Sequence, residues 1–122
     1  MNKNLKSFFE YDDDYVMYIL INKDIYLDQD QVIDQCCNSI LKVVRENEQR
    51  YNIPESHCEW RKQGEKKIFL KMKQEDLLYA INNYSDMCQH SLDTDNSNSP
   101  FTITTVAFMP MLRKDKPDFF NI

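Results

Sequence analysis

The chain has 122 residues, 42% apolar and 29% charged, with a formal net charge of -5; this fits one globular domain with a real hydrophobic core and is too short for two. Gly64 is its single glycine, which excludes a P-loop or a dinucleotide fingerprint, since both need several glycines for close backbone approach to phosphate. The acidic balance argues against broad, non-specific nucleic-acid binding, which relies on lysine and arginine to neutralise phosphates, but it leaves room for a local basic patch.

In chain order, residues 1–14 read as a polar tail ending in Asp12, Asp13 and Asp14, and residues 15–122 as the domain. The opening MNKNLKSFF carries two lysines and no acid, but Glu10 and the aspartates follow at once, which makes a poor transit peptide. No apolar run approaches the ~18 residues of a membrane span. The expected location is intracellular, cytoplasmic first, with mitochondrial import without cleavage as the alternative.

Tyr15 to Ile21 is a nearly continuous apolar run, the pattern of a central strand buried on both faces. After a polar turn, Val32, Ile33, Cys36, Cys37, Ile40, Leu41, Val43 and Val44 recur at helical spacing and predict a helix to about Glu48. Asp28 followed by Gln31 predicts a capping box at its start. Arg50 to Gly64 is polar and reads as irregular, with Trp60 as its one large apolar anchor. Lys67 to Lys73 alternates, with Ile68, Leu70 and Met72 on one face and Lys67, Phe69, Lys71 and Lys73 on the other, predicting a half-buried strand. Gln74 to Asn83 reads as a short helix with Leu77, Leu78 and Ile81 inward, and Met87 to Leu92 as a weaker strand. Asp93 to Pro100 is a loop by composition, Thr102 to Phe108 a β-branched fourth strand, and one helical turn precedes Pro117. The expected fold class is α/β: a single layered domain with a mixed four-stranded sheet and helices packed on both faces.

The four cysteines, Cys36, Cys37, Cys58 and Cys88, read as free thiols, because two are adjacent on one helix and no signal peptide places them in an oxidising compartment. His57, Cys58, Cys88 and His90 lack the C-x-x-C pairs of a zinc site. No metal and no cofactor is expected. His90 reads as inert.

Three segments in order resemble the type II peptidyl-tRNA hydrolases of archaea and eukaryotes. YVMYILINKDIYLDQDQVIDQCCNSI matches their opening strand, loop and helix, with Gln35 and Cys36 where the family has Ala-Gln-Cys-x-His. WRKQGEKKIFLKMKQEDLL matches their Trp-Glu…Gly-x-x-Lys-Val-x-Leu-Lys segment through Trp60, Gly64, Lys67, Leu70 and Lys71. SPFTITTVAFMP matches their Pro-Gly-Thr-x-Thr-Val strand through Pro100, Thr102, Thr104 and Pro110. The resemblance implies the family's fold and, in an intact member, hydrolysis of the ester between a peptide and tRNA.

The departures fall where that chemistry belongs. The family's loop places two lysines and two glycines at the first helix, suited to tRNA phosphates; here the positions hold Asp28, Gln29, Asp30 and Gln31. The family histidine is replaced by Asn38, which cannot shuttle a proton. Its Asp-x-Gly-Arg-Thr motif falls in LDTDNSNS, where Asp93 or Asp95 stands in for the aspartate but the glycine, arginine and threonine are out of register. The expected function is therefore a catalytically degenerate relative serving as a structural or binding subunit of a protein assembly. The first alternative is an active, divergent hydrolase using Asp93 or Asp95 with a nearby threonine. The second is an RNA-binding module using Lys67, Lys71 and Lys73, with Trp60 as a contact; tRNA is disfavoured by the acidic loop. Each residue also has a plainer reading: Cys36 and Trp60 as core, and the lysines as a solvated face.

Overall fold

The computed structural model describes residues 14–93 and 102–122. Its elements are β1 (Tyr15–Asn22), α1 (Gln29–Glu48), α2 (Glu55–Lys62), β2 (Lys67–Met72), α3 (Gln74–Asn83), β3 (Cys88–Leu92), β4 (Ile103–Phe108) and β5 (Met111–Leu112), followed by 3-10 turns at Arg113–Asp115 and Asp118–Phe120. The four main strands form one mixed sheet in the order β2-β1-β4-β3, and the two-residue β5 pairs with the start of β1. β1 and β2 are parallel, whereas β4 is antiparallel to both β1 and β3.

The layering follows from this order. Parallel strands need crossover connections, and the crossover from β1 to β2 runs one way across the sheet while that from β2 to β3 runs back the other way. Crossovers of one hand running in opposite directions put their helices on opposite faces. The alternation along β1 then divides the core in two. Met17, Ile19 and Ile21 pack with Cys36, Val43, Trp60 and Ala107 beneath α1 and α2. Val16, Tyr18 and Leu20 pack with Leu77, Ala80, Val106, Phe108 and Phe120 beneath α3 and the C-terminal turn. Edge-to-face contacts of Tyr18 and Phe108 with Phe120, at 5.1 and 5.2 Å between ring centroids, hold that last turn onto the sheet.

Several expectations need correction. Arg50 to Gly64 is not irregular throughout, because Glu55–Lys62 is helical, with Pro54 at its N-cap. That helix ends on Gly64, whose φ of 104° lies in the left-handed region where an L side chain is strained. β2 ends at Met72, so Lys73 is the N-cap residue of α3 and does not continue the strand face. Leu78 points outward, and Ala80 takes the buried place beside Leu77. β5 and the second 3-10 turn were not foreseen. The predicted tail, apart from Asp14, and the predicted loop after Asp93 lie outside the described residues. Asp14 pairs with Lys66 at 3.0 Å and with Arg113 at 3.6 Å.

Candidate functional site

The carboxyl ends of β1 and β3, the start of β4 and the opening of α1 meet at one end of the sheet. β1 and β3 run in the same direction and both end there, and α/β sheets place ligand sites outside the carboxyl ends of their strands. The end is tied together by Asn22, which is buried. Its side-chain amide donates to Ile103 O at 2.8 Å, and its Oδ1 accepts from Asp24 N at 2.9 Å. Asp24 Oδ2 in turn accepts from Gln74 N at 2.8 Å and so caps α3.

The mouth of α1 closes on itself. Asp28 Oδ1 accepts from Gln31 N at 2.9 Å, and Gln31 Oε1 accepts from Asp28 N at 3.0 Å. This is the predicted capping box, and with Asp30 in the first turn it sets carboxylates against the positive end of the helix. Gln29 is exposed beside them.

Beneath the helix lies a buried hydroxyl cluster. Ser39 Oγ sits 2.8 Å from Ser91 Oγ and 2.7 Å from Thr105 Oγ1. Thr105 Oγ1 donates to Gln35 O at 3.0 Å, and Ser91 Oγ approaches the same oxygen at 3.3 Å. Thr104 Oγ1 reaches Gln35 Oε1 at 2.6 Å and Ser91 O at 3.1 Å. Two neighbouring threonines of a regular strand would face opposite sides of the sheet. Here Ser91 opposes Thr105 and Leu92 opposes Ile103, so Thr104 is an extra residue in a bulge, and both threonines turn towards α1.

Above this cluster, between α1 and β3, runs a groove of about 400 Å³ lined by Asp34, Gln35, Asn38, Leu41, Lys42, Arg45, Ser91 and Leu92. Lys42 Nζ is engaged with His90 O at 2.8 Å. Asn38, Asp34 and Arg45 face solvent. Burial, with Lys42 nearby, holds the His90 imidazole below its usual range.

A family model described as peptidyl-tRNA hydrolase PTH2 matches residues 15–116. The chain belongs to that family. No curated protein matches the chain. The PTH2 match runs from the first residue of β1 through the first 3-10 turn, so it takes in the five strands and three α-helices of the described residues and the groove.

The sequence-predicted site residues are scattered over this PTH2 domain. Asp28, Asp30 and Gln31 share the helix mouth, Asn38 lines the groove, and Asp93 is buried at the end of β3 with its N–H donating to Thr102 O at 2.9 Å. Asp95 lies outside the described residues. Lys67 and Lys71 are exposed on β2, at the far edge of the sheet from the groove. Trp60 is 2% exposed; its Nε1 donates to Lys66 O at 2.8 Å, and Lys67 Nζ lies 5.5 Å from its ring centroid. Its ring therefore packs inside the domain. Cys36 is also core, and burial first, then Cys37, pushes its thiol up to about 11.

His57 is buried, receives Asn47 Nδ2 on Nδ1 at 3.3 Å and directs Nε2 at Glu48 Oε2 at 3.1 Å. Cys88 belongs to the core on the opposite side of the sheet. Among the described residues no group of three or more His, Cys, Asp and Glu is placed to hold a metal ion, and no helix is long and apolar enough to cross a membrane.

Sequence reasoning missed Asn22, Ser39, Ser91 and Thr105 altogether, and it missed the role of Gln35 as the hub that both threonines reach. One signal was present: Ser39 interrupts the apolar stripe between Cys36 and Val43, and a hydroxyl placed on the buried face of a helix must find a partner there.

Proposed function

We propose that this PTH2 protein is catalytically degenerate and serves as a binding or structural subunit of a protein assembly. The observation that carries this reading is that the polar groups at the sheet end satisfy one another. The capping box consumes donors at the mouth of α1 that would otherwise meet a phosphate. The hydroxyls of Ser39, Ser91, Thr104 and Thr105 are spent on each other and on Gln35.

Electrostatics supports the same reading. A phosphate brought within a few ångströms of Asp28 or Asp30 meets repulsion on the order of a few kcal/mol per charge pair at an effective dielectric near 20. Ester hydrolysis needs an activated water and a donor for the developing oxyanion. Asn38, in the place where the family carries histidine, takes up no proton near neutral pH.

The test is turnover of a model peptidyl-tRNA. The expected result is release of peptide no faster than in buffer, for the wild-type chain and Asp93→Ala alike. Turnover abolished by Asp93→Ala overturns the reading in favour of a divergent hydrolase. The subunit role is checked by native-mass measurement on protein from its own source: a complex heavier than the chain and its self-assemblies is expected, and a free monomer contradicts it.

A further inference from the structure

The sheet has two edges, and they are treated differently. On β3, Lys42 Nζ covers the carbonyl of His90. On β2, no strand of the described residues pairs with the outer side. Met17 N donates to Lys66 O at 3.0 Å and Lys23 N to Met72 O at 2.9 Å. In a parallel ladder the N–H and C=O of one residue face the same neighbour, and successive residues alternate. The backbone groups of Lys67, Phe69 and Lys71 therefore point away from β1, to the free edge.

The side chains of those three residues are also exposed, Phe69 at 51%. No carboxylate of the described residues lies within ion-pair distance of Lys67 or Lys71. In a protein of net charge -5, these are cations without a carboxylate partner among the described residues, flanking an apolar ring at alternate positions, with Lys67 Nζ donating to Glu65 O at 2.9 Å and lying over the Trp60 ring. Lysines on an edge deter pairing with ordinary strands. An incoming strand with acids opposite them converts that repulsion into favourable cross-strand pairs.

The geometry points to β2 as a docking edge for an extended acidic segment of a partner protein, added as a further strand. Its pattern is acid-x-aromatic-x-acid, because residues two apart on one strand are spaced by about 6.6 Å and match Lys67, Phe69 and Lys71 one to one. The pattern reads the same in both directions, so it fits parallel or antiparallel addition. The chain's own acidic stretch, FFEYDDD at residues 8–14, does not contain it, which favours a partner over self-docking. RNA is the poorer match, since a strand edge offers alternating backbone donors and acceptors, whereas phosphates only accept. This inference rests on the binding-subunit reading and names its partner class.

The probe is the peptide acetyl-Thr-Glu-Thr-Phe-Thr-Glu-Thr-amide carrying a fluorophore, titrated with the full chain and read by anisotropy. Binding is expected, with at least a tenfold loss for Lys67→Glu/Lys71→Glu and for a peptide with lysines in place of the glutamates. N-methylation of one alternate set of peptide amides should abolish binding and of the other set should leave it, because a strand pairs through one edge. On binding, the amides of Lys67, Phe69 and Lys71 should gain hydrogen-exchange protection while those of Ile68 and Leu70 stay unchanged. Equal binding by both methylated peptides, no binding, or Lys67- and Lys71-dependent retardation of tRNA without peptide binding overturns the proposal. Failure here without peptidyl-tRNA turnover leaves the degenerate-enzyme reading standing, whereas turnover with intact peptide binding removes that reading and keeps the docking edge.

Discussion

Replacing Ser39 by alanine removes the centre of the buried hydroxyl cluster. Ser39 is fully buried, and its oxygen contacts Ser91 Oγ at 2.8 Å and Thr105 Oγ1 at 2.7 Å. Each such bond contributes about 1 kcal/mol net. After the change neither partner is orphaned, because both hydroxyls can turn to Gln35 O, at 3.0 Å from Thr105 and 3.3 Å from Ser91. The cost is therefore the two lost contacts, about 1–2 kcal/mol, without the further desolvation penalty of a stranded donor. Urea unfolding followed by circular dichroism should show a lower midpoint at unchanged slope. Ser39→Val loses the same bonds and also forces two methyl groups into a filled site, so it should cost about 3 kcal/mol in all. A Ser39→Ala midpoint equal to wild type would refute the reasoning, since the hydroxyls would then not be holding α1 to β3 and β4.

Other consequences are as direct. Asp28→Ala breaks the capping box and should destabilise the chain by about 1 kcal/mol in the same urea assay, while Asp28→Asn should retain most of the cap. Cys37 and Cys58 are exposed, whereas burial pushes the Cys36 and Cys88 thiols up to about 11; iodoacetamide at pH 8 should label the first pair quickly and the second only after unfolding, read by peptide mass spectrometry. The hydrogen bond from His57, and behind it the Arg61 guanidinium, holds the Glu48 carboxyl below its ordinary 4.5. A lowered carboxylate stabilises the fold above pH 4.5 and loses that contribution as pH falls through the lowered value. Glu48→Gln should flatten that acid limb in a series of unfolding midpoints from pH 7 to 3.

Much of the fold was legible because its signals are local. The unbroken apolar run of β1 announces a strand covered on both faces, and the stripe from Val32 to Val44 announces α1 together with its Asp28–Gln31 cap. α2 escaped because only His57 and Trp60 of its eight residues are buried, too few to make a stripe. Pro54 was the available hint, since proline is tolerated at a helix start. Lys73 was misassigned because alternation alone does not say where a strand hands over to a helix. The site was less legible than the fold. Asn22, Gln35, Ser91 and Thr105 are far apart in the chain and meet only through the sheet order, and the bulge at Thr104 reverses the face that period-two counting assigns to it.

The central claim is the proposal that the buried polar groups of the sheet end, among the described residues, serve the fold and do not drive ester cleavage. It is tested most directly by a single-turnover experiment with the chain in large excess over peptidyl-tRNA, which removes any dependence on product release. The account predicts a deacylation rate equal to that in buffer, unchanged by Asp93→Ala or Asn38→His. A rate well above buffer that falls on Asp93→Ala would contradict it.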